Sequence, residues 1–189
     1  TGFIQLRQAD STPVWRKDIL GFTYKTEIKA ATGEDFVTEA FIARASHLTI
    51  EPQQLNLNDN QYAQIRVDST GVLINAAVRD YSYPNSRIFP LANKGVIESS
   101  PFQDTIAGVP QTGLRLVLKN NQGAVLWEKK LPNTGYLPNL SCDSTGILLV
   151  TGEIVDAVFN WGYENRAHWK YQIVDLDWNG ATRFIATTL

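Results

Sequence analysis

The stretch "HWKYQIVDLDWNGATRFIATT", residues 168–188, contains the pattern that decides the fold. Its alternation places two sets of residues on opposite faces of a strand: Trp169, Tyr171, Ile173, Asp175 and Asp177 on one, and His168, Lys170, Gln172, Val174, Leu176 and Trp178 on the other. Asn179-Gly180 is typical of a type I′ hairpin turn, and "ATRFIATTL" then returns as the partner strand. The stretch therefore predicts a β-hairpin.

The same alternation recurs along the rest of the chain. It appears in "GFTYKTEIKA", "YAQIRV", "GVLINAAVRDY", "LRLVLKN", "AVLWEKKL" and "GILLVTGEIV", and turn dipeptides such as Thr70-Gly71 and Gln122-Gly123 separate the runs. Only "FVTEAFIARAS", residues 36–46, fits a helical period as well as a strand period. The sequence predicts an all-β fold, an antiparallel β-sandwich or jelly roll with little or no helix.

The domain organisation depends on "ESSPFQDTIAGVPQTG", residues 98–113, which carries two prolines and two glycines. This composition predicts a long loop or a linker. As a loop it leaves one sandwich domain, 1–189; as a linker, 98–112 joins two small sandwiches, 1–97 and 113–189. We favour the single domain, because the residues after this segment are few for an independent sandwich.

Composition excludes several partner classes. Charged residues make up 19% of the chain and the net charge is -2, so there is no basic field to attract nucleic acid. No apolar run approaches the roughly 20 residues that span a bilayer, so membrane insertion is not expected. The single cysteine, Cys142, allows no internal disulfide and is expected to be a small buried residue. Low charge and 11% aromatic residues favour an extracellular, cell-surface or virion location.

Two short strings resemble a known family. "QADSTPVW" (8–15) and "NNQGAVLW" (120–127) look like repeats of monocot-type mannose-binding lectins, and also like blades of some β-propellers. The lectin binding string Gln-x-Asp-x-Asn-x-Val-x-Tyr is absent: "QIRVDSTGVLIN" and "NLSCDSTGILLV" match its Asp but not its Asn or Tyr. We therefore carry over neither the fold nor the site of that family. The recurrence of "DSTG" at 68 and 143 is explained by similar strand–turn–strand units.

A binding loop is predicted at "NWGYENRAH", residues 160–168. A sugar needs an aromatic surface for its C–H face, and amide, carboxylate or guanidinium groups for its hydroxyls. This segment supplies both, and the predicted ligand-binding residues are Trp161, Tyr163, Glu164, Asn165, Arg166 and His168. The same composition suits a protein interface, and a third interpretation folds the aromatic side chains back onto the sandwich edge.

Asp175, Asp177 and Asn179, followed by Gly180, match the first half of a calcium loop. The second half does not match, because the twelfth position is Ala186 rather than Glu, and Arg183 is poorly placed beside a cation. Calcium is thus the one candidate cofactor, and a plain hairpin without metal is the alternative.

No catalytic motif is present. His47 and His168 are the only histidines, neither lies in a nucleophile elbow, and no Gly-rich phosphate loop occurs. Pairs of carboxylates leave a glycan-active enzyme open, but the sequence favours a non-enzymatic recognition module. Such a module, acting in adhesion or receptor binding, would bind a glycan or another cell-surface receptor. The alternative is a structural or assembly subunit of a virion, fibre or pilus-like appendage, which self-associates into an oligomer.

Overall fold

The computed structural model describes residues 2–7, 10–22, 27–32, 37–83, 86–91, 94–106, 108–132, 134, 139–159 and 165–187. Its strands are β1 (Gly2–Arg7), β2 (Pro13–Ile19), β3 (Glu27–Thr32), β4 (Thr38–Ala43), β5 (His47–Ile50), β6 (Gln53–Asn56), β7 (Gln61–Val67), β8 (Leu73–Asp80), β9 (Arg87–Leu91), β10 (Gly95–Ile106), β11 (Val109–Lys119), β12 (Val125–Pro132), β13 (Asn139–Cys142), β14 (Gly146–Phe159), β15 (Asn165–Asp177) and β16 (Thr182–Thr187). No helix occurs within these ranges. The all-β prediction is confirmed.

Neighbouring strands pair antiparallel in the sheets β1-β2, β3-β4-β7-β8, β5-β6 and β13-β14-β15-β16. Three sheets have four strands, in the orders β3-β4-β7-β8, β12-β11-β10-β9 and β13-β14-β15-β16, and β1-β2 and β5-β6 form two-stranded sheets. This arrangement is consistent with a β-sandwich. The segment with the ambiguous period contains β4 and is a strand.

The chain divides into two compact units. Unit 1 comprises residues 1–98 and 119–124, and unit 2 comprises 99–118 and 125–189. The expectation of a loop or linker at 98–113 was wrong, because β10 and β11 occupy most of it. Of its two glycines, Gly108 has a positive φ, +79°, and precedes β11, whereas Gly113 lies inside that strand. Whether the chain is one domain or two stays a prediction.

In unit 1, the sheet β3-β4-β7-β8 is covered on both faces. The β1–β2 and β5–β6 hairpins pack on one face, and their shared core is Ile4, Trp15, Ile19, Ala40, Ile42, Ala45, Leu48, Ile50, Leu57, Ala63, Ile65 and Val67. The Leu20 N–H donates to the Thr49 carbonyl at 3.0 Å and so joins the two hairpins. On the other face Phe41 and Tyr62 contact Ile88 of β9. Burial on both faces explains why all of β4 is buried and why its hydrophobic pattern does not alternate cleanly.

A buried polar network in unit 1 links the side chains of Glu98 and Lys119 to the backbone of residues 80–82. The Lys119 ammonium lies 2.6 Å from Glu98 Oε1 and donates to the Asp80 carbonyl at 2.7 Å. The Ser82 N–H donates to Glu98 Oε2 at 2.7 Å. Since both charged side chains are almost fully buried, this pairing offsets the cost of removing them from water.

In unit 2, the sheet β13-β14-β15-β16 has one buried face and one open face. Leu149 of β14 pairs with Val174 of β15, and both are fully buried. Tyr171 lies three residues before Val174, on the opposite face, and is 46% exposed. The predicted alternation is confirmed toward the turn, where Val174 and Leu176 are fully buried while Ile173, Asp175 and Asp177 are not.

The hairpin between β15 and β16 has a different turn from the one predicted. Asp177 N–H donates to the Ala181 carbonyl at 2.9 Å, and Gly180 N–H donates to the Asp177 carbonyl at 3.0 Å. Gly180 has a φ of +80°, whereas Asn179 is not among the residues with positive φ. This is a three-residue loop with glycine in the left-handed position, not a type I′ turn. Asp177 favours it, because its Oδ1 accepts the N–H groups of Asn179 and Ala181.

Candidate functional site

A row of four side chains crosses the open face of the β13–β16 sheet. The register places Ser141 beside Leu148, Leu148 beside Asp175, and Asp175 beside Phe184. Cross-strand neighbours share a face, and Leu148 and Phe184 are 40% and 48% exposed. The row therefore combines a hydroxyl, a carboxylate and two exposed apolar side chains.

A cleft of about 270 Å³ lies at the turn end of this face. Its lining residues are Ser141, Cys142, Asp143, Thr145, Gly146, Leu148, Asp175 and Arg183. Cys142 is exposed, which corrects the expectation that it is buried. The lining combines polar groups with apolar surface and comes from both hairpins of the sheet.

An ion pair between Asp175 and Arg183 forms one wall of the cleft. Arg183 Nη2 donates to Asp175 Oδ1 at 2.5 Å. A β-bulge brings the two side chains together, since Asp175 pairs with Phe184 while Leu176 pairs with Thr182, which leaves Arg183 as the extra residue. The hydrogen bond to Asp175 raises the pKa of Arg183 above its usual value, and nearby carboxylates add to this effect.

Glycine at position 146 leaves room for that guanidinium. A Cβ added to Gly146 would lie 2.9 Å from Arg183 Nη2 and 2.0 Å from the Leu176 carbonyl oxygen. Both distances are shorter than a carbon atom tolerates. The absence of a side chain at this position therefore shapes the cleft floor.

Asp143 is the first residue of the turn between β13 and β14, which forms the cleft wall opposite the Asp175–Arg183 pair. Its Oδ1 accepts hydrogen bonds from the Thr145 hydroxyl at 2.7 Å, the Thr145 N–H at 2.6 Å and the Gly146 N–H at 3.0 Å. These bonds, led by that of the Thr145 hydroxyl, hold the pKa of Asp143 below the usual carboxyl value. Asp143 is thus negatively charged at neutral pH.

Two tryptophans and a lysine hold the turns in place. Trp178 Nε1 donates to the Ser144 carbonyl at 3.2 Å and so links the two turns beside the cleft. From β12, Trp127 Nε1 donates to the Trp178 carbonyl at 3.0 Å, and Lys129 Nζ donates to the Gly180 carbonyl at 2.7 Å. A site supported in this way is pre-organised and loses little entropy on binding a ligand.

Half of the predicted ligand-binding residues lie outside the described residues: Trp161, Tyr163 and Glu164. The other three, Asn165, Arg166 and His168, belong to β15 and not to a loop, which corrects the prediction. Their register partners in β14 are Phe159, Val158 and Asp156, in that order. The prediction of a loop was wrong for residues 165–168, because the β14–β15 ladder extends farther than the hydrophobic alternation indicates. Ligand binding by these six residues stays a prediction.

The residues predicted to bind calcium have partners within the protein. Asp175 is paired with Arg183, and Asp177 Oδ1 accepts two N–H groups of its own turn. Among the residues that the structure describes, no group of three His, Cys, Asp or Glu side chains is placed to hold a metal ion. The calcium site stays a prediction, and this geometry does not favour it.

A second cleft, of about 380 Å³, lies in unit 1 and is lined by Lys17, Asp18, Leu20, Thr49 and Glu51. Neither cleft has an aromatic side chain among its described lining residues, and each has an exposed ring beside it: Phe3 is the register partner of Asp18, as Phe184 is of Asp175. The unit 2 cleft offers more kinds of polar group, and Trp127, Lys129 and Trp178 hold its turns in place, so it is the stronger candidate.

Comparisons with known proteins add no functional assignment. No family model matches the chain, and no curated protein is significantly similar to it. In the part of the chain described by the structure, we found no helix with the length and apolarity needed to cross a membrane. The functional argument therefore rests on the site itself.

Proposed function

We propose that the protein is a non-enzymatic recognition module that binds a carbohydrate in the unit 2 cleft. One observation carries this proposal: a carboxylate–guanidinium pair and hydroxyl groups line a cleft beside the exposed ring of Phe184 on an open sheet face. We further propose that it belongs to a secreted, cell-surface or virion-exposed protein and binds a cell-surface glycan or glycosylated receptor.

Each part of a sugar has a matching group in this site. The exposed ring of Phe184, beside Asp175 on the same face, offers an apolar surface to the C–H face of a sugar ring. Asp175 accepts hydrogen bonds from sugar hydroxyls, and Arg183 donates to their oxygens. The hydroxyl of Ser141 can donate and accept, whereas that of Thr145 donates to Asp143 and can accept from a sugar hydroxyl.

The ionisation of Asp143 argues against a role for this residue as the general acid of a glycosidase. Glycoside hydrolysis needs a general acid whose pKa is raised, so that it still carries a proton near neutral pH. The pKa of Asp143 is instead lowered by the hydrogen bonds of its turn. This carboxylate is therefore suited to accept hydrogen bonds and not to donate a proton.

A glycan array compared between wild type and Asp175→Asn tests the proposal. The substitution removes the charge that holds Arg183 and weakens the charged hydrogen bonds to the sugar. We expect an affinity loss of about tenfold or more. Asp104→Asn is the matched control, because Asp104 is an exposed carboxylate in unit 2, paired with Lys130 and absent from the cleft lining. No glycan binding by wild type, or equal losses in both variants, would contradict the proposal.

Removing divalent cations should leave glycan binding unchanged, because Asp175 and Asp177 already have protein partners. The same array, run with calcium and with a chelator, measures this. Binding that disappears with chelator would instead place a cation at the cleft.

A further inference from the structure

Strand β16 is an edge strand with an unusual exposure pattern. It lies at one end of the order β13-β14-β15-β16, and all six of its side chains are exposed. Phe184 and Ile185, which are consecutive and lie on opposite faces, are 48% and 54% exposed. Among the described strands, only β15 pairs with β16, so its outer edge has no described partner strand.

The other edges of the four-stranded sheets carry features that discourage pairing. Strand β12 contains Lys129, Lys130 and Pro132, and β9 contains Pro90. Strand β3 carries Glu27 and Lys29, and β8 ends in Arg79-Asp80. Strand β13 has only four residues.

Strand β16, "TRFIAT", has no proline, a single charged residue and a β-bulge near its start. Its one charged residue, Arg183, is the bulged residue and is paired with Asp175. Beyond the bulge, Phe184–Thr187 is a regular edge without charge or proline.

We propose that β16 pairs antiparallel with β16 of a second copy of this chain, about a two-fold axis at Ile185. In this register Ile185 faces its own equivalent, and Phe184 of each copy faces Ala186 of the other, a large side chain against a small one. Arg183 faces Thr187, so no like charges are opposed, whereas an in-register parallel pair would place Arg183 against Arg183. The strand is thus complementary to itself only in the antiparallel sense.

This pairing joins two four-stranded sheets into one of eight strands. A two-fold axis perpendicular to the sheet keeps both open faces on the same side. The dimer would then present two clefts to one surface, and this consequence rests on the proposed glycan binding. Two linked weak sites bind a multivalent surface far more tightly than one.

Sedimentation velocity over a rising series of protein concentrations tests the pairing. Because the paired edge is short, we expect a weak dimer whose mass approaches twice 21.1 kDa as the concentration rises. Ile185→Lys and Ile185→Glu should each be monomeric, since each places like charges opposite one another. An equal mixture of the two variants should recover the dimer.

Val125→Lys is the matched control, because Val125 is an exposed apolar residue of β12 in the same unit, with 55% exposure. It should dimerise as wild type does. A wild-type chain that stays monomeric at every concentration would overturn the proposal. A dimer that survives Ile185→Lys, that is lost equally in Val125→Lys, or that the mixture does not recover would also overturn it. Glycan binding by the monomeric variants is measured separately, so failure of the pairing and failure of the proposed function are distinguishable.

Discussion

At the scale of single residues, Glu98 and Lys119 show how a few buried charges hold unit 1. Replacing Glu98 by Gln leaves the Lys119 ammonium buried without its countercharge. We expect Glu98→Gln to lower the free energy of unfolding by about 3–5 kcal/mol, measured by urea denaturation. The control is Asp18→Asn, which breaks an ion pair whose side chains are 51% and 59% exposed. That change should cost less than about 1 kcal/mol, and similar costs for both variants would contradict this account.

Tyr81 makes the stability of unit 1 sensitive to alkali. Burial, and then the charge of Glu98, raise the pKa of Tyr81 to about 12. In the unfolded chain a tyrosine ionises near pH 10, so this contribution to stability is present below about pH 10 and is lost as the pH rises toward 12. We expect Tyr81→Phe to move the midpoint of alkaline unfolding to higher pH, followed by circular dichroism. An unchanged or lower midpoint would show that another group governs alkaline unfolding.

At the scale of elements, the turn at Gly180 combines a left-handed backbone with a close contact. A Cβ at Gly180 would lie 3.0 Å from the Trp127 ring, whereas at Gly108, with a φ of +79°, it would meet nothing within 4 Å. At either position an Ala residue would have to adopt a left-handed backbone conformation, which costs about 1–2 kcal/mol. We therefore expect Gly180→Ala to destabilise the protein more than Gly108→Ala and to change Trp127 fluorescence. Equal destabilisation and an unchanged spectrum would argue against this packing.

Hairpins could be predicted from the sequence, but turn types could not. Asn179-Gly180 correctly indicated a turn, yet the hydrogen bonds of Asp177 selected a three-residue loop. The repeated "DSTG" string shows the same limit. After Asp68 its glycine has a φ of +88°, whereas after Asp143 the glycine begins β14 without a positive φ. Identical strings form different turns because the strands that flank them set the register.

The candidate site was predicted only in part. Asp175 was singled out as a metal ligand, while Arg183 counted only as an obstacle to a cation. The contact between Asp175 and Arg183 could have been predicted from the hairpin. Strands that return from a turn at 179–180 place position 175 opposite 183 or 184. Asp143 and Ser141 gave no such signal, because their approach to Asp175 depends on the pairing of β13 with β14 and of β14 with β15.

At the scale of the whole molecule, the two compact units are interleaved along the sequence. The chain leaves unit 1 after residue 98, returns for 119–124 and then stays in unit 2. A division at 98–112 would separate Lys119 from Glu98, although both belong to unit 1. Sequence composition could not reveal this, because the prolines and glycines of 98–113 are typical of a linker while the segment forms a β-hairpin.

The most direct test of the central claim maps the binding site on the whole chain. Backbone amide chemical shifts are recorded during titration with the glycan that gives the strongest array signal. Binding in the unit 2 cleft predicts the largest changes at residues 141–148, 171–175 and 183–184. Changes confined to residues 160–168, to the unit 1 cleft around Leu20 and Thr49, or to no residue at all would contradict it.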